Sequence, residues 1–285
     1  MVITRYAGLC ALVLALLVVP AAAPSRSALP QRIVSLSPTA TEDLFAIGAG
    51  PQVIAVDDQS NYPASAPKTK LSGYTPNAEA VAAYKPDLVI ASNDSNGLVK
   101  ALGKLHIRVM LEPAATTFDN AYAQIVQLGQ ATGHLARSKA LVAKLRGQMR
   151  SIVASLPKSA TKLSVYHELE PDYYSVTSKT FIGQVYTTLG LHDIADAADK
   201  SGAGYPKLSA EYIVSANPDL IVLADSICCG QTAAKVAKRP GWQGISAVKN
   251  GGVIAVSDDV ASRWGPRIVD FVRAVAAGVR AVANK

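Results

Sequence analysis

One stretch of this sequence occurs twice, and the two copies lie 132 residues apart. The first copy runs from Gly73 to Ala91 and the second from Gly204 to Ala224. In each copy a Gly-Tyr pair is followed by a glutamate, and a Pro-Asp pair begins seven residues after that glutamate. Solenoid repeats have periods of about 20 to 50 residues. The longer offset therefore predicts two lobes of similar build, each carrying one copy.

Each copy has the pattern of a loop, a short helix and a buried strand. Asn77 and Ser209 have the side chains preferred at helix N-caps. Glu79 and Glu211 then fall in the first helical turn, where a carboxylate suits the helix dipole. A proline ends each helix, and a short apolar run follows it. The glutamates are therefore either ordinary helix-start charges or matched functional acids, one for each lobe.

The rest of the chain alternates short apolar runs with helical patterns, which predicts a largely parallel sheet. Between 134 and 157 there is no strand pattern, and Leu141, Leu145, Met149 and Ile152 recur at helical spacing. We therefore predict an α/β fold with two Rossmann-like lobes joined by one long backbone helix. The predicted parts are a signal peptide (1–28), an N-terminal α/β lobe (29–133), the linking backbone helix (134–157) and a C-terminal α/β lobe (158–285).

The N-terminal segment has the composition of a secretory leader. Arg5 precedes an uncharged apolar run from Ala7 to Val19, and three alanines follow at 21–23. A run of 13 residues is short for a membrane span. The segment predicts export to the periplasm or to the outer face of the cytoplasmic membrane, with an uncleaved anchor as the alternative.

The composition narrows the classes of partner. The 285 residues carry a net charge of +7, but Lys and Arg are scattered and form no basic patch with interleaved aromatics. Nucleic acid is therefore not an expected partner. Beyond the leader the cysteines are the adjacent Cys228 and Cys229, which can form a vicinal disulfide or remain thiols. No Cys/His ligand spacing occurs, so neither a bound metal nor a resident cofactor is expected.

The sequence also lacks the common motifs of α/β enzymes. Gly48-x-Gly50 has no third glycine, and neither a Walker A motif nor Gly-x-Ser-x-Gly is present. We therefore expect a protein that is not an enzyme. Acid–base chemistry could in principle come from His167, Glu168, Asp258 and Asp259.

Ligands of open α/β sheets bind outside the carboxyl ends of the strands. The loops predicted there hold aromatic, amide and charged side chains, which suit a large amphipathic ligand. His167 is either an ordinary loop histidine or a ligand for haem or a metal chelate. The candidate ligand-binding residues are Pro38, Thr39, Gln59, Tyr62, Tyr74, His167, Tyr174, Tyr205, Asp259, Arg263 and Trp264.

From about residue 32 to the C-terminus, the sequence resembles the helical-backbone (class III) periplasmic substrate-binding proteins of ABC importers, and most closely their vitamin B12-binding branch. The motifs that carry the resemblance are Ser35-Leu36-Ser37-Pro38 with Thr41-Glu42, Tyr62-Pro63, Asn77-x-Glu79 with Lys85-Pro86-Asp87, Tyr205-Pro206 with Ser209-x-Glu211 and Asn217-Pro218-Asp219, and Ser262-Arg263-Trp264-Gly265-Pro266-Arg267.

The resemblance implies a receptor that clamps cobalamin between its lobes and delivers it to ABC permease subunits. Ferric siderophore and haem are the alternative ligands in the same superfamily. Tyr74 and Tyr205 match positions where tryptophans flank the ligand in the B12 branch, and Gln59 replaces a further aromatic contact.

The resemblance also assigns roles to charged residues. Asp259 and Arg263 match a polar pair in the last binding loop, with Asp258 as the alternative first member. Arg263 is alternatively a structural residue that pairs with Asp258 or Asp259. Glu79 and Glu211 match the lobe-tip glutamates that pair with permease arginines. A monomer is the expected state.

Overall fold

The computed structural model describes residues 28–283. Residues 1–27 of the predicted leader lie outside that range. Within it, no helix is both long enough and apolar enough to cross a membrane.

The first lobe is built on a four-stranded parallel sheet. The strands are β1 (Ile33–Leu36), β2 (Val53–Val56), β3 (Leu88–Ala91) and β4 (Arg108–Leu111), in the order β2-β1-β3-β4. Strands β1 and β3 lie in the middle and are buried along their whole length. This placement explains why both read as continuous apolar runs rather than alternating ones.

Four helices belong to this lobe: α1 (Pro38–Ala46), α2 (Ala78–Ala82), α3 (Leu98–Gly103) and α4 (Phe118–Thr132). Ser37 caps α1 by accepting the N–H of Ala40, and Pro38 occupies the first helical position. Pro38, Thr39 and Thr41 lie inside the helix.

The second lobe repeats the plan with strands β5 (Ser164–Glu168), β6 (His192–Asp193), β7 (Leu220–Leu223) and β8 (Val253–Ala255), in the order β6-β5-β7-β8. The predicted pair of parallel α/β lobes is therefore confirmed. Its helices are α6 (Phe181–Thr188), α7 (Ala210–Ala216), α8 (Ala233–Ala237), α9 (Ser246–Asn250), α10 (Asp258–Ser262) and α11 (Ile268–Ala283).

The repeated stretch forms the same unit in each lobe. Asn77 caps α2 by accepting the N–H of Ala80, and Ser209 caps α7 by accepting the N–H of Tyr212. Strands β3 and β7 follow these helices and take equivalent places beside the first strand of each sheet. The duplication thus fixes one helix and one central strand of each lobe.

The long helix α5 (Leu135–Ala154) connects the lobes. It packs against α4 of the first lobe and α11 of the second. One continuous hydrophobic cluster includes β1 and β3, the inner face of α5 at Leu145 and Met149, and strands β5 and β7 with α11. The two lobes therefore share a core as well as a linker.

Candidate functional site

Two adjoining cavities lie between the lobes. The larger has a volume of about 570 Å³ and the smaller about 270 Å³. Ala114, Ser262 and Trp264 line both, so the cavities form one cleft. The larger cavity is walled mainly by the first lobe, and its opposite wall is the segment around α10. The smaller is bounded by the start of α6 and the loop before α7.

A tyrosine from each copy of the repeat lies at this cleft. Tyr74 lines the larger cavity and Tyr205 the smaller, and their exposed fractions are 80% and 51%. Gly73 lets the first loop approach the sheet, since a Cβ atom there would lie 2.8 Å from the carbonyl oxygen of Leu36. The two aromatic faces are therefore available to a ligand from opposite lobes.

Hydrogen-bonding groups surround the larger cavity. Asp57 follows β2 and is buried, and burial raises the pKa of its carboxyl although hydrogen bonds from Ser60 and Gln59 act in the opposite direction. Ser92 and Asn93 follow β3 at the same edge. Thr39 contributes from the first turn of α1. This edge can accept several N–H groups from one ligand.

Arg263 lies in the cleft wall, and both terminal nitrogens of its guanidinium donate hydrogen bonds within the protein. It donates to the side chains of Glu42 at 2.9 Å, Asn61 at 2.9 Å and Asp259 at 2.6 Å, and to the carbonyl of Gln59 at 2.9 Å. Its side chain is 9% exposed. The positive charge is therefore neutralised within the protein, and Arg263 orders the cleft wall.

Arg267 completes this inter-lobe ion cluster, which we define as Glu42, Arg263 and Arg267. Its Nε and Nη2 atoms donate to the two carboxylate oxygens of Glu42 at 2.8 and 2.5 Å. The Glu42 side chain is 1% exposed. The cluster ties α1 of the first lobe to the segment between α10 and α11. The sequence motif contained Glu42, but no contact role was assigned to it.

Trp264 forms the junction of the two cavities. Its indole N–H donates to Oε1 of Gln124 at 2.9 Å, and its ring meets the edge of Phe181 with centroids 6.5 Å apart. Gln124 in turn donates to the carbonyl of Pro113 at 2.6 Å. The ring is thus held in a defined position by α4 and α6.

The structure brings most of the predicted binding residues to the cleft. Eight line it: Pro38, Thr39, Gln59, Tyr74, Tyr205, Asp259, Arg263 and Trp264. Lining residues absent from the predicted set include Asp57, Asn93, Lys179 and Asp258. Lys179 lies two residues before the start of α6. Its position in the loop that leads into a predicted helix is the sequence signal that could have identified it as a lining residue.

The structure corrects the predicted position of His167. It was placed in a loop facing the ligand, but it lies inside β5, is 0% exposed, and its Nδ1 contacts the hydroxyl of Tyr186. Burial lowers its pKa to about 3, so the ring is neutral. Strand β5 stays buried through His167 and Glu168, and the polar character of these two residues hid the end of the strand.

Two predicted aromatics also lie outside the lining of the cleft. Tyr62 packs under Arg267, whose guanidinium carbon is 4.1 Å from the ring centroid. Tyr174 pairs with Lys207, whose ammonium is 5.2 Å from its ring. Both rings therefore serve cation–π contacts in this structure.

The repeated glutamates point away from the core. Glu79 and Glu211 are both exposed, in the first turns of α2 and α7. A backbone hydrogen bond at the helix start and the hydroxyl of Ser209 lower the pKa of Glu211. Among residues 28–283, no three His, Cys, Asp or Glu side chains group into a metal site.

Residues 33–260 match the family model described as periplasmic binding protein. The chain belongs to the periplasmic binding protein family. It is a binding protein of the kind that serves ABC transporters, as its relatives show. This confirms the family predicted from the sequence motifs.

Named relatives of this periplasmic binding protein fall into the same class. It is 33% identical to the ABC transporter substrate-binding lipoprotein YvrC of Bacillus subtilis, an alignment that covers 88% of this chain and 80% of the relative. It is 32% identical to the cobalamin-binding protein of Halobacterium salinarum, covering 85% of this chain and 67% of that one.

The fold has close structural neighbours. A possible iron-binding (periplasmic solute-binding) protein of Staphylococcus epidermidis superposes with a TM-score of 0.75 at 28% identity, and the match covers 88% of this chain and 99% of the other. The paired lobes and connecting helix are therefore the architecture of known binding proteins.

Proposed function

We propose that this protein captures cobalamin or a related corrinoid in the inter-lobe cleft, outside the cytoplasm, and delivers it to an ABC permease. The observation that carries the proposal is the pair Tyr74 and Tyr205, one from each copy of the repeat, each exposed at one of two cavities that adjoin. Flat aromatic faces on opposite walls suit a large, nearly planar macrocycle.

The electrostatics of the cleft favour a ligand with amide groups over an anionic one. A corrinoid carries neutral carboxamides, whose N–H groups need acceptors. Asp57, Asp258 and Asp259 and the amide of Asn93 supply such acceptors around the larger cavity. The charge of Arg263 is already paired, which leaves Lys179 as the cation without a salt bridge among the described lining residues. A multiply anionic chelate would meet little compensation.

A ferric siderophore or haem is the second candidate. Two observations favour it: the structural similarity to a possible iron-binding protein, and the exposed phenols of Tyr74 and Tyr205 at the cleft. A tyrosinate can hold haem iron as an axial ligand. His167 cannot take that role in this structure because it is buried in β5.

Delivery to the permease is assigned to Glu79 and Glu211. They are exposed and equivalently placed in the two lobes. Two equivalent acids suit a transporter that has basic residues on two similar subunits. Such complementary charges chiefly set the register in which the two proteins dock and the rate at which they meet. We expect one monomeric binding protein to dock across both permease subunits.

Isothermal titration calorimetry of the purified protein with cyanocobalamin, haemin and ferric citrate separates the candidates. We expect saturable one-to-one binding of cyanocobalamin and none of ferric citrate.

Tyr174→Ala is a matched control for Tyr205→Ala, since both residues are exposed tyrosines of the second lobe but only Tyr205 lines the cleft. Saturable haemin binding that is lost with Tyr74→Phe, without cyanocobalamin binding, would reject the corrinoid assignment.

A further inference from the structure

The loop after β7 carries an unusual pair of thiols. Cys228 and Cys229 are adjacent and exposed, and their sulfur atoms lie 2.7 Å apart. The preceding Ile227 is 74% exposed. The loop is therefore open to solvent at its tip, and an external reagent can reach both sulfurs.

The same loop is bonded to the wall of the ligand cleft. The carboxylate of Asp258 accepts the backbone N–H of Ile227 at 3.0 Å and that of Cys228 at 2.7 Å. Partial burial opposes the effect, but these N–H bonds hold the pKa of Asp258 below its usual range. Asp258 lines the larger cavity, and the next residue, Asp259, pairs with Arg263. The cysteine loop thus sets the position of an acceptor in the cleft.

Closing a disulfide between neighbours requires the backbone to change. Consecutive Cα atoms across a trans peptide are about 3.8 Å apart, whereas disulfides prefer about 4.4 to 6.8 Å. Because the Cα–Cα distance across a trans peptide is fixed, a disulfide between Cys228 and Cys229 is strained and closes only if the φ and ψ angles of the two cysteines change. These angles orient the N–H of Cys229, which donates to the carbonyl of Asp225 at 3.2 Å, and the N–H of Cys228, which donates to Asp258 at 2.7 Å. We expect ring closure to disturb both bonds.

We propose that Cys228 and Cys229 form a reversible dithiol–disulfide site whose oxidation releases Asp258 and weakens ligand binding in the cleft. The link to affinity rests on the proposed function, whereas the link to Asp258 does not. An exposed and strained disulfide is readily reduced, which is the property of a regulatory rather than a structural bridge.

The oxidation is a pair of thiol–disulfide exchanges with a disulfide of a small molecule or an oxidoreductase. One cysteine thiolate attacks that disulfide, forms a mixed disulfide and expels a thiolate. The second cysteine, deprotonated, attacks the protein sulfur and expels the other thiolate. The pair loses two electrons and two protons, and the reagent gains them as two thiols. Burial, Cys229 and Asp258 raise the pKa of Cys228, so the exchange is faster at pH 9 than at pH 7.

The first test uses ligand-free protein. Full-length protein is treated with oxidised glutathione, and intact mass distinguishes the loss of two hydrogens from a glutathione adduct. Hydrogen exchange read by mass spectrometry is then compared between reduced and oxidised forms. We expect faster exchange in peptides covering 226–229 and 258–262 after oxidation, and no change in the double variant Cys228→Ser/Cys229→Ser. Oxidation that leaves exchange in both peptides unchanged, or a pair that never closes, overturns the proposal.

The second test measures affinity for cyanocobalamin by calorimetry after the reagents are removed by gel filtration. We expect binding about five- to tenfold weaker in the oxidised form, and the serine double variant to keep one affinity in both treatments. Equal affinities of the two forms overturn the link to the cleft. If reduced protein does not bind cyanocobalamin at all, the proposed function fails, and the hydrogen-exchange result still decides the link to Asp258.

Discussion

Arg263 and Glu42 form a salt bridge of 2.9 Å between side chains that are 221 residues apart and belong to different lobes. Glu42 also takes both hydrogen bonds of Arg267. Glu42 therefore pairs with both guanidinium groups, and Asp259 gives Arg263 a second carboxylate partner.

Removing that carboxylate should destabilise the whole protein. Glu42→Gln keeps the size of the side chain but removes the carboxylate bonded to Arg267 and one of the two carboxylates bonded to Arg263. We expect the free energy of unfolding in urea to fall by about 3 to 5 kcal/mol. Asp119→Asn is the control, because the Asp119–Arg146 pair is exposed and should contribute less than about 1 kcal/mol. Equal losses in the two variants would contradict a stabilising cluster.

Truncation of the cleft tyrosines should weaken binding without unfolding the protein. Tyr74→Ala and Tyr205→Ala each remove an exposed ring, and we expect affinity for cyanocobalamin to drop about three- to tenfold for each. The phenylalanine variants keep the ring face and should bind nearly as well as the parent. Calorimetry measures the affinity, and thermal melts check the fold. A loss equally large in the phenylalanine variants would instead indicate a role for the hydroxyl.

The stability of the protein should depend on pH through Glu112. This side chain is buried, its Oε1 has no hydrogen-bond partner among the described residues, and burial raises its pKa from 4.5 to about 7. The folded state therefore holds a proton that the unfolded chain releases near pH 4.5. The stability so gained is present below that pH and is lost as the pH rises through about 7.

Glu112→Gln tests this relation. The amide stays neutral, so we expect the variant to exceed the parent in stability at pH 8 by on the order of 1 kcal/mol, with no such gain at pH 4. Urea unfolding at both pH values provides the measurement. Glu170→Gln, at an exposed loop position, is the control and should show no pH-dependent gain. A gain at pH 4 as large as that at pH 8 would exclude titration as its cause.

Charge reversal at the repeated glutamates should separate capture from delivery. Glu79→Lys and Glu211→Lys lie on exposed helix starts outside the cleft lining, so ligand affinity should not change. Uptake of labelled cobalamin by cells that depend on this protein should fall about tenfold or more, because like charges would face each other at the permease. Glu170→Lys is the matched control. Uptake that falls equally in the control would indicate a general charge effect.

The duplicated stretch explains why so much of the fold was predictable. Its caps, Asn77 and Ser209, are local features, and local features are encoded by adjacent residues. The alternation of apolar runs with helical patterns likewise predicted both parallel sheets. The two-residue strand β6 was missed because a pair of residues carries no periodicity.

The candidate site was predicted less completely, because its organisation depends on long-range contacts. The loop positions of Tyr74 and Tyr205 were readable from their neighbours. The engagement of Arg263 by Glu42 and Asn61 was not, since both partners lie some 200 residues earlier. His167 was misplaced for the opposite reason: a polar residue at the end of β5 reads as a loop, although it is fully buried.

The hydrophobic cluster that runs unbroken from β1 through α5 to α11 has a consequence for transport. Because both lobes pack into this shared core, we expect the span between Glu79 and Glu211 to be the same with and without ligand. The ligand-bound and ligand-free proteins would then offer the transporter the same spacing of these two acids. The ligand exposed at the opening of the cleft would therefore be what distinguishes the two forms.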